Sequence, residues 1–353
     1  MKQKTRLIRA QQSGKECQML KIRSLLLIGL LFFGTCNFST PAQAETKHVR
    51  IAQQYGISYL PLMMVVEKGL LKKHAKEAGL GDIDVSFLKL AGSNVMNEAL
   101  LSGSLDFASG GLTGLIILWA KSKGAIKAVS AVTSMPIYLN TRNPDVKTIA
   151  DFTDKDKIAL PAVKVSPHAV VLQMAAAKTF GNESYAKLDR LTVSLSHADG
   201  MAALMSGVSE IDSHFTAPPY QYQELKTGKV HRVLSSYDVA GQNSTFVLVW
   251  ASEKFRKENP KTYDAFVAAL NEAMDIINKD KRAAAKFYVE TSKEKISEDD
   301  IYQIISNHEN TFTTVPSGIS TYTDFMYKVG IIRTKPNSWK DLFFDNAHKL
   351  AGN

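Results

Sequence analysis

One pattern occurs twice in this chain of 353 residues and constrains its fold more than any other feature. The run Asn97-Glu98-Ala99-Leu100-Leu101-Ser102-Gly103-Ser104-Leu105-Asp106-Phe107 returns in form as Met201-Ala202-Ala203-Leu204-Met205-Ser206-Gly207-Val208-Ser209-Glu210-Ile211. In each copy a helical stretch stops at Ser-Gly, where glycine accepts the left-handed conformation of a helix C-terminus. A short acidic-then-apolar strand follows. A polar loop comes next, Ser109-Gly110-Gly111 in the first copy and His214-Phe215-Thr216 in the second. The spacing far exceeds the period of a solenoid, about 20–50 residues. Two similar α/β units facing each other is the simplest arrangement.

The surrounding sequence alternates in the same way. Residues 49–52 predict a strand, 60–78 a helix, and 83–87 a half-buried strand of period two. Residues 94–102 predict a helix, and 106–108 and 126–132 predict strands. This βαβα order implies mainly parallel sheets with helices on both faces. Residues 245–250 predict a strong strand. Beyond Ser252 the pattern is almost wholly helical: Pro260 opens a helix, and Phe266, Leu270, Met274 and Ile277 lie along one face. That suits a chain returning to its first unit and packing helices on its back.

The first 44 residues belong to a different physical class. Lys2, Lys4, Arg6, Arg9, Lys15, Lys21 and Arg23 stand against Glu16 alone, and an apolar run from Leu25 to Phe33 follows. Small and polar residues then lead to Ala42-Gln43-Ala44. This is the pattern of a secretory signal peptide cleaved after Ala44. The run is too short to span a bilayer, which takes about 20 residues. Met19, ahead of Lys21 and Arg23, offers an alternative start. The leader carries most of the formal charge of +9, so the basicity reads as targeting and not as a nucleic-acid footprint. Both cysteines, Cys17 and Cys36, lie in it. The remaining chain is cysteine-free, without disulfide, thiol nucleophile or cysteine metal site. Cys36 competes with cleavage after Ala44 as a lipidation site. Either route places the protein outside the cytoplasm, in the periplasm if cleaved.

Catalytic patterns are thin. There is no G-x-S-x-G elbow, no phosphate loop and no H-E-x-x-H helix. The compact His/Asp pairs are His197-Ala198-Asp199 and Asp212-Ser213-His214, for which helix capping and loop polarity suffice as explanations. Binding chemistry is easier to find. Gln53-Gln54-Tyr55-Gly56-Ile57-Ser58-Tyr59, Gly92-Ser93-Asn94 and Val163-Lys164-Val165-Ser166-Pro167 each join a strand's carboxyl end to a helix start. Open α/β sheets bind ligands there, and helix N-termini favour anions.

The run Gln54-Tyr55-Gly56-Ile57-Ser58-Tyr59-Leu60-Pro61-Leu62, the helix-Ser-Gly-strand ending in Ser109-Gly110-Gly111, and Glu258-Asn259-Pro260 resemble one family. It is the nitrate/sulfonate/taurine group of solute-binding proteins of ABC importers, also called NMT1/THI5-like. The likeness runs from about residue 49 to residue 350. It implies an α/β, two-lobed periplasmic-binding-protein fold of type II. Each lobe would be a mainly parallel sheet flanked by helices, with the ligand cleft between them. Lobe I would comprise 45–137 and 244–353, and lobe II 138–243. The crossings would fall near Ser134-Met135-Pro136-Ile137 and Gln242-Asn243-Ser244-Thr245. By the same resemblance the first lobe would contribute Gln54, Tyr55, Ser58, Ser93, Ser109 and Gly110 to the ligand. The second would contribute Lys164, Ser166 and His214, with Phe215 and Tyr220 as walls. The implied partners are a small solute, a membrane permease and an ATPase, for a monomer without cofactor, metal or nucleic acid. Some relatives are pyrimidine-synthesising enzymes with a cysteine-rich motif; this chain departs from it, so no enzyme is expected.

Two cargoes fit this reading. Lys164, Ser166 and Ser93 at helix starts suit a sulfonate-, taurine- or nitrate-like anion. Tyr55, Tyr59, Phe215 and Tyr220 suit a flat heterocycle such as a thiamine-precursor pyrimidine. A periplasmic enzyme using His197, Asp199, Asp212 or His214, and a sensory binding protein without an importer, are the alternatives of other kinds.

Overall fold

The computed structural model describes residues 44–353; the expected leader up to residue 43, with both cysteines, lies outside these residues. The strands within them are β1 (His48–Gln53), β2 (Asp84–Lys89), β3 (Ala108–Gly111), β4 (Ile126–Ser134), β5 (Tyr138–Thr141), β6 (Ile158–Leu160), β7 (Thr192–Ser194), β8 (Ser213–Thr216), β9 (His231–Ser235), β10 (Thr245–Ser252) and β11 (Thr311–Phe312).

These strands form two sheets built on one plan. In the first, β1 pairs in parallel with β2, and a parallel bridge from Ile51 to Phe107 ties it to the approach of β3. The order continues β3-β10-β4-β11, with β10 antiparallel to both its neighbours. In the second sheet, of order β7-β6-β8-β5-β9, β6 is parallel to β7 and β8 while β5 is antiparallel to β8 and β9. Each sheet is thus a parallel trio, second-first-third, followed by an antiparallel strand. The twofold pattern in the sequence is the third step of each trio. Its helices end at Gly103 (φ 75°) and Gly207 (φ 71°), both left-handed as expected.

The sheets are more mixed than the βαβα order implies, because β5 and β10 arrive from the other unit and run in reverse. β4 leads through Met135-Pro136-Ile137 into β5, and residues 241–244 lead back into β10. The two crossings lie side by side. Thr245 pairs with Ser134 across the sheet, and Ser134 Oγ donates to the Ser244 carbonyl at 2.7 Å.

Two local expectations shift. The helix expected over 60–78 is two helices, Leu60–Glu67 and Leu70–Glu77, broken at Gly69 with φ 67°. The third strand begins at Ala108 and not at Asp106. Asp106 instead takes the Arg50 amide at 2.8 Å and the guanidinium at 3.0 and 2.7 Å, clamping β1 to the entry of β3. That carboxylate also raises the affinity of the Arg50 guanidinium for its proton.

The helix Pro260–Lys279 lays Phe266, Leu270, Ala273 and Ile277, all fully buried, on the back of the first sheet. Phe266 stacks on Phe107 at 3.9 Å between centroids, with ring planes 11° apart. No helix among the described residues is long and apolar enough to cross a membrane. Phe266→Ala should cost about 3–5 kcal/mol, as a large ring lost from a packed core does. Urea denaturation checks this, and a loss below about 1 kcal/mol would mean that the Phe107 stack does not anchor the returning helices.

Candidate functional site

The carboxyl ends of the parallel strands in the two sheets point at each other, and the loops beyond them touch. The contacts are unusually close because glycines of the first unit lie on prolines of the second. A Cβ built on Gly111 would fall 2.0 Å from Pro167 Cγ, and one on Gly92 would fall 3.2 Å from the Pro161 carbonyl. Gly56, at φ 108°, would bring a Cβ to 2.8 Å from the Pro218 carbonyl. Two hydrogen bonds reinforce the seam: Ile57 N donates to Pro218 O at 3.3 Å, and Thr113 Oγ1 to Val165 O at 2.7 Å. The strand-end loops of the two sheets are thus in direct contact along this line.

On the first side, Gln54, Ser93 and Gly110 converge. The Cβ position of Gly110 lies 2.9 Å from Gln54 Nε2, 3.2 Å from Ser93 Oγ and 3.0 Å from the Trp250 ring. These groups pack so closely on Gly110 that a side chain there would displace them. Gln54 and Ser93 are buried, with Nε2 and Oγ 3.5 Å apart. Tyr55 lies half-buried beside them under the Lys89 ammonium, 5.6 Å from its ring centre. Ser58 and Ser109 have other work. Ser58 Oγ faces Met135 Sδ at the crossing, and Ser109 Oγ donates to the Ala52 carbonyl at 2.6 Å within the sheet.

On the second side the expected residues mostly serve the frame. Ser166 Oγ caps the helix Pro167–Phe180, accepting from Ala169 N at 3.3 Å and donating to Ala162 O at 2.7 Å. Lys164 is exposed, in a left-handed turn at φ 66°. Phe215 is core. His214 turns into the unit's interior: Nδ1 is 2.6 Å from Glu224 Oε1, both side chains are fully buried, and Glu224 Oε2 accepts from Asn140 Nδ2 at 2.9 Å. His214 Nε2 lies under the helix His197–Ser206, where a Cβ on Gly200 would come within 2.4 Å of it. Tyr220 donates its hydroxyl to Glu294 at 2.7 Å and stacks its ring on His197 at 5.7 Å.

Sequence neighbours are not spatial partners here. His197 Nδ1 meets Thr216 Oγ1 at 2.7 Å, while Asp199 accepts from Ser196 Oγ at 2.6 Å as part of a helix cap. His214 pairs with Glu224, while Asp212 accepts from Ser213 at 2.8 Å. Among the described residues no group of three His, Cys, Asp or Glu is placed to hold a metal.

Sequence reasoning missed His168. It sits in the first turn of the helix Pro167–Phe180, 5.1 Å from His197, 5.4 Å from Phe215 and 5.8 Å from Phe246 of β10 between ring centres. Both its ring nitrogens are buried without a partner. The local signal was a repeated capping pattern, with serine caps at Ser166 and Ser196 just before His168 and His197. Burial, and then the neighbouring imidazoles, hold the pKa of His168 well below the ordinary histidine range. Burial, and then His214, press His197 to about 3. Among the described residues no lysine or arginine is buried. The buried part of the seam is lined by neutral polar groups and rings, with the exposed Lys89 and Lys164 at its edge. A wide groove of about 660 Å³ lies elsewhere, on the flank by Tyr222, Lys226, Asp300 and His308. Its one lysine is paired with Asp300 at 2.6 Å, and it holds none of the strand-end loops.

Residues 42–290 match the NMT1-like family. A search of curated proteins gives no significant match. Among solved structures, a protein of Bordetella bronchiseptica RB50 superposes with TM-score 0.71 at 21% identity, over 86% of this chain and 96% of that one. The alkanesulfonate-binding protein SsuA of Xanthomonas axonopodis pv. citri, bound to MOPS, gives 0.65 at 17%, covering 82% and 95%. The periplasmic nitrate-binding protein NrtA of Synechocystis PCC 6803 gives 0.60 at 18%, covering 87% and 86%. The fold is that of the periplasmic binding proteins.

Two outcomes follow for the histidine cluster. Gly200→Ala should destabilise by about 1–3 kcal/mol, because a methyl group has no room beside His214. An unchanged melting temperature would contradict that packing. His197 is neutral when folded but takes a proton near its ordinary pKa when unfolded. Its contribution is therefore intact above about pH 6.5 and falls by about 1.4 kcal/mol per pH unit below it, towards about pH 3. Between about pH 7 and about pH 5, wild type should lose about 2 kcal/mol more stability than His197→Asn. Equal losses in urea titrations would mean that His197 is not held neutral.

Proposed function

Because the chain belongs to the NMT1-like family, we propose that it is an extracytoplasmic substrate-binding protein of an ABC importer. In this reading a monomer, exported by its leader to the periplasm, captures a small solute between its units and presents the closed form to a permease and ATPase. The moving lobes are 45–137 with 244–353, and 138–243, hinged where the crossings run side by side. The observation that carries the reading is the glycine-on-proline seam. Three strand-end loops of one unit meet two of the other there, those after β6 and β8, so a solute at that place touches both. A ligand shifts an open–closed equilibrium only by its differential affinity for the two states, and contact with both lobes supplies that difference.

Of the two cargoes, the geometry favours the flat ring over the anion. An oxyanion taken from water needs charge-assisted partners. Ser166 is occupied as a cap, Lys164 is exposed, and no buried cation faces the seam among the described residues. Tyr55, His197, Tyr220 and Phe246 offer ring faces and edges instead.

The test is Gly111→Ala, whose methyl group would wedge against Pro167 and hold the lobes apart. Thermal-shift titrations against taurine, alkyl sulfonates, nitrate and aminopyrimidines should give one saturable hit in wild type. The variant should bind that hit at least about tenfold more weakly, a loss of about 1.4 kcal/mol, and keep its unliganded melting temperature. Equal affinity in the two proteins would rule out binding by closure at this seam.

A further inference from the structure

We infer that His168 is a ligand-contacting residue of the cleft, and that the solute it contacts is uncharged and planar. The inference rests on the binding reading above and adds to it a residue and a ligand chemistry.

Pro167, immediately before His168, lies against Gly111 of the opposite unit, so the ring sits directly behind the seam. Its neighbours come from every side. They are Phe215 of β8 beneath it, His197 from the next helix, and Phe246 of β10, the strand that crosses between the units. None of the rings packed on it is a cation or an acid.

A neutral imidazole carries one N–H donor and one lone pair, and polar atoms left unmet inside a protein are destabilising. The other two imidazoles in the cluster are each anchored, His197 by Thr216 and His214 by Glu224. His168, only 2% exposed, has neither nitrogen engaged. A histidine kept for packing alone would be more stable as a hydrophobic residue in this aromatic nest. A histidine kept for a ligand is left unpaired on the protein side. Because no side chain fixes its tautomer, it can accept from a solute N–H or donate to a solute carbonyl or ring nitrogen.

Burial and two adjacent imidazoles oppose protonation of His168. It therefore acts as a neutral partner, unsuited to balance a sulfonate or nitrate. The groups packed on it are the rings of His197, Phe215 and Phe246, and an aromatic surface of this kind suits a flat molecule once the lobes part.

The test compares wild type with His168→Phe and His168→Leu, by thermal shift and calorimetry. The probes are uracil, cytosine, 4-aminopyrimidine and nicotinamide on one side, and taurine, ethanesulfonate and nitrate on the other. A saturable response to an uncharged ring is expected in wild type. Both variants should lose at least about tenfold in affinity for it, while at least one melts higher than wild type without ligand. That opposite pair of shifts is what a purely structural histidine would not give. The ¹⁵N shifts of His168 should also move to one tautomer on ring binding. The inference is overturned if both variants melt lower and bind unchanged, or if no ring probe binds wild type. A sulfonate or nitrate bound by wild type, lost in Gly111→Ala and kept in His168→Phe, leaves the cleft as the site and removes this histidine from it. A sulfonate or nitrate bound equally by all of these proteins removes both readings.

Discussion

The arrangement depends on how closely two backbones can approach. Where a strand-end loop of one unit meets a loop of the other, a Cβ would keep the chains apart. At Gly56, Gly92 and Gly111 there is none, and the facing residues Pro218, Pro161 and Pro167 are rigid and lack an N–H to satisfy. The seam therefore closes without leaving a row of unpaired amide donors on its second side. The candidate site residues, from Gln54, Ser93 and Gly110 to the histidine cluster, lie along this seam or just behind it. The sheets are mixed because β5 and β10, which follow the crossings, enter each sheet in reverse.

The twofold plan was legible because it is written in local chemistry. A helix stop at Ser-Gly needs a left-handed glycine, and Gly103 and Gly207 adopt that conformation. The breaks were harder to see. Gly69 interrupts an otherwise continuous apolar pattern, and Asp106 reads as strand until Arg50, far away in sequence, claims its carboxylate. The site was legible only in part, for a related reason. Sequence marks which residues stand at strand ends, but not which of them tertiary packing turns to the cleft. Gln54, Ser93 and Gly110 meet; Ser58, Ser109, Ser166 and His214 turn to the crossing, the sheet, a cap and the interior. His168 was invisible because the helix Pro167–Phe180 is buried all round for most of its length, so no polar face sets the residue apart.

The electrostatics of the seam set this chain a particular task. Its surface charges are numerous but its interior holds no ammonium or guanidinium among the described residues. At the second unit, His168 and His197 are pressed toward neutrality by burial, and the buried Glu224 carboxylate is tied to His214 and Asn140. On the proposed reading, an interior without a buried cation among the described residues disfavours an anionic cargo, since a buried charge without a partner is strongly disfavoured. The structural relatives named for alkanesulfonate and nitrate share the scaffold with this chain, and a shared scaffold does not fix the chemistry of the pocket.

The central claim is that the two units open and close on a solute at the glycine-on-proline seam. Residues 45–353 contain no cysteine, so two introduced cysteines can carry spin labels without background. Val95 and Val163 are both exposed, at 40% and 36%, and flank the seam on opposite units beside Gly92 and Ala162. Pulsed dipolar spectroscopy of the Val95→Cys, Val163→Cys double variant should show long and short distances, with a ring solute such as uracil, cytosine or 4-aminopyrimidine shifting the population to the short one. A single distance that neither these rings nor taurine, ethanesulfonate or nitrate moves would contradict the account.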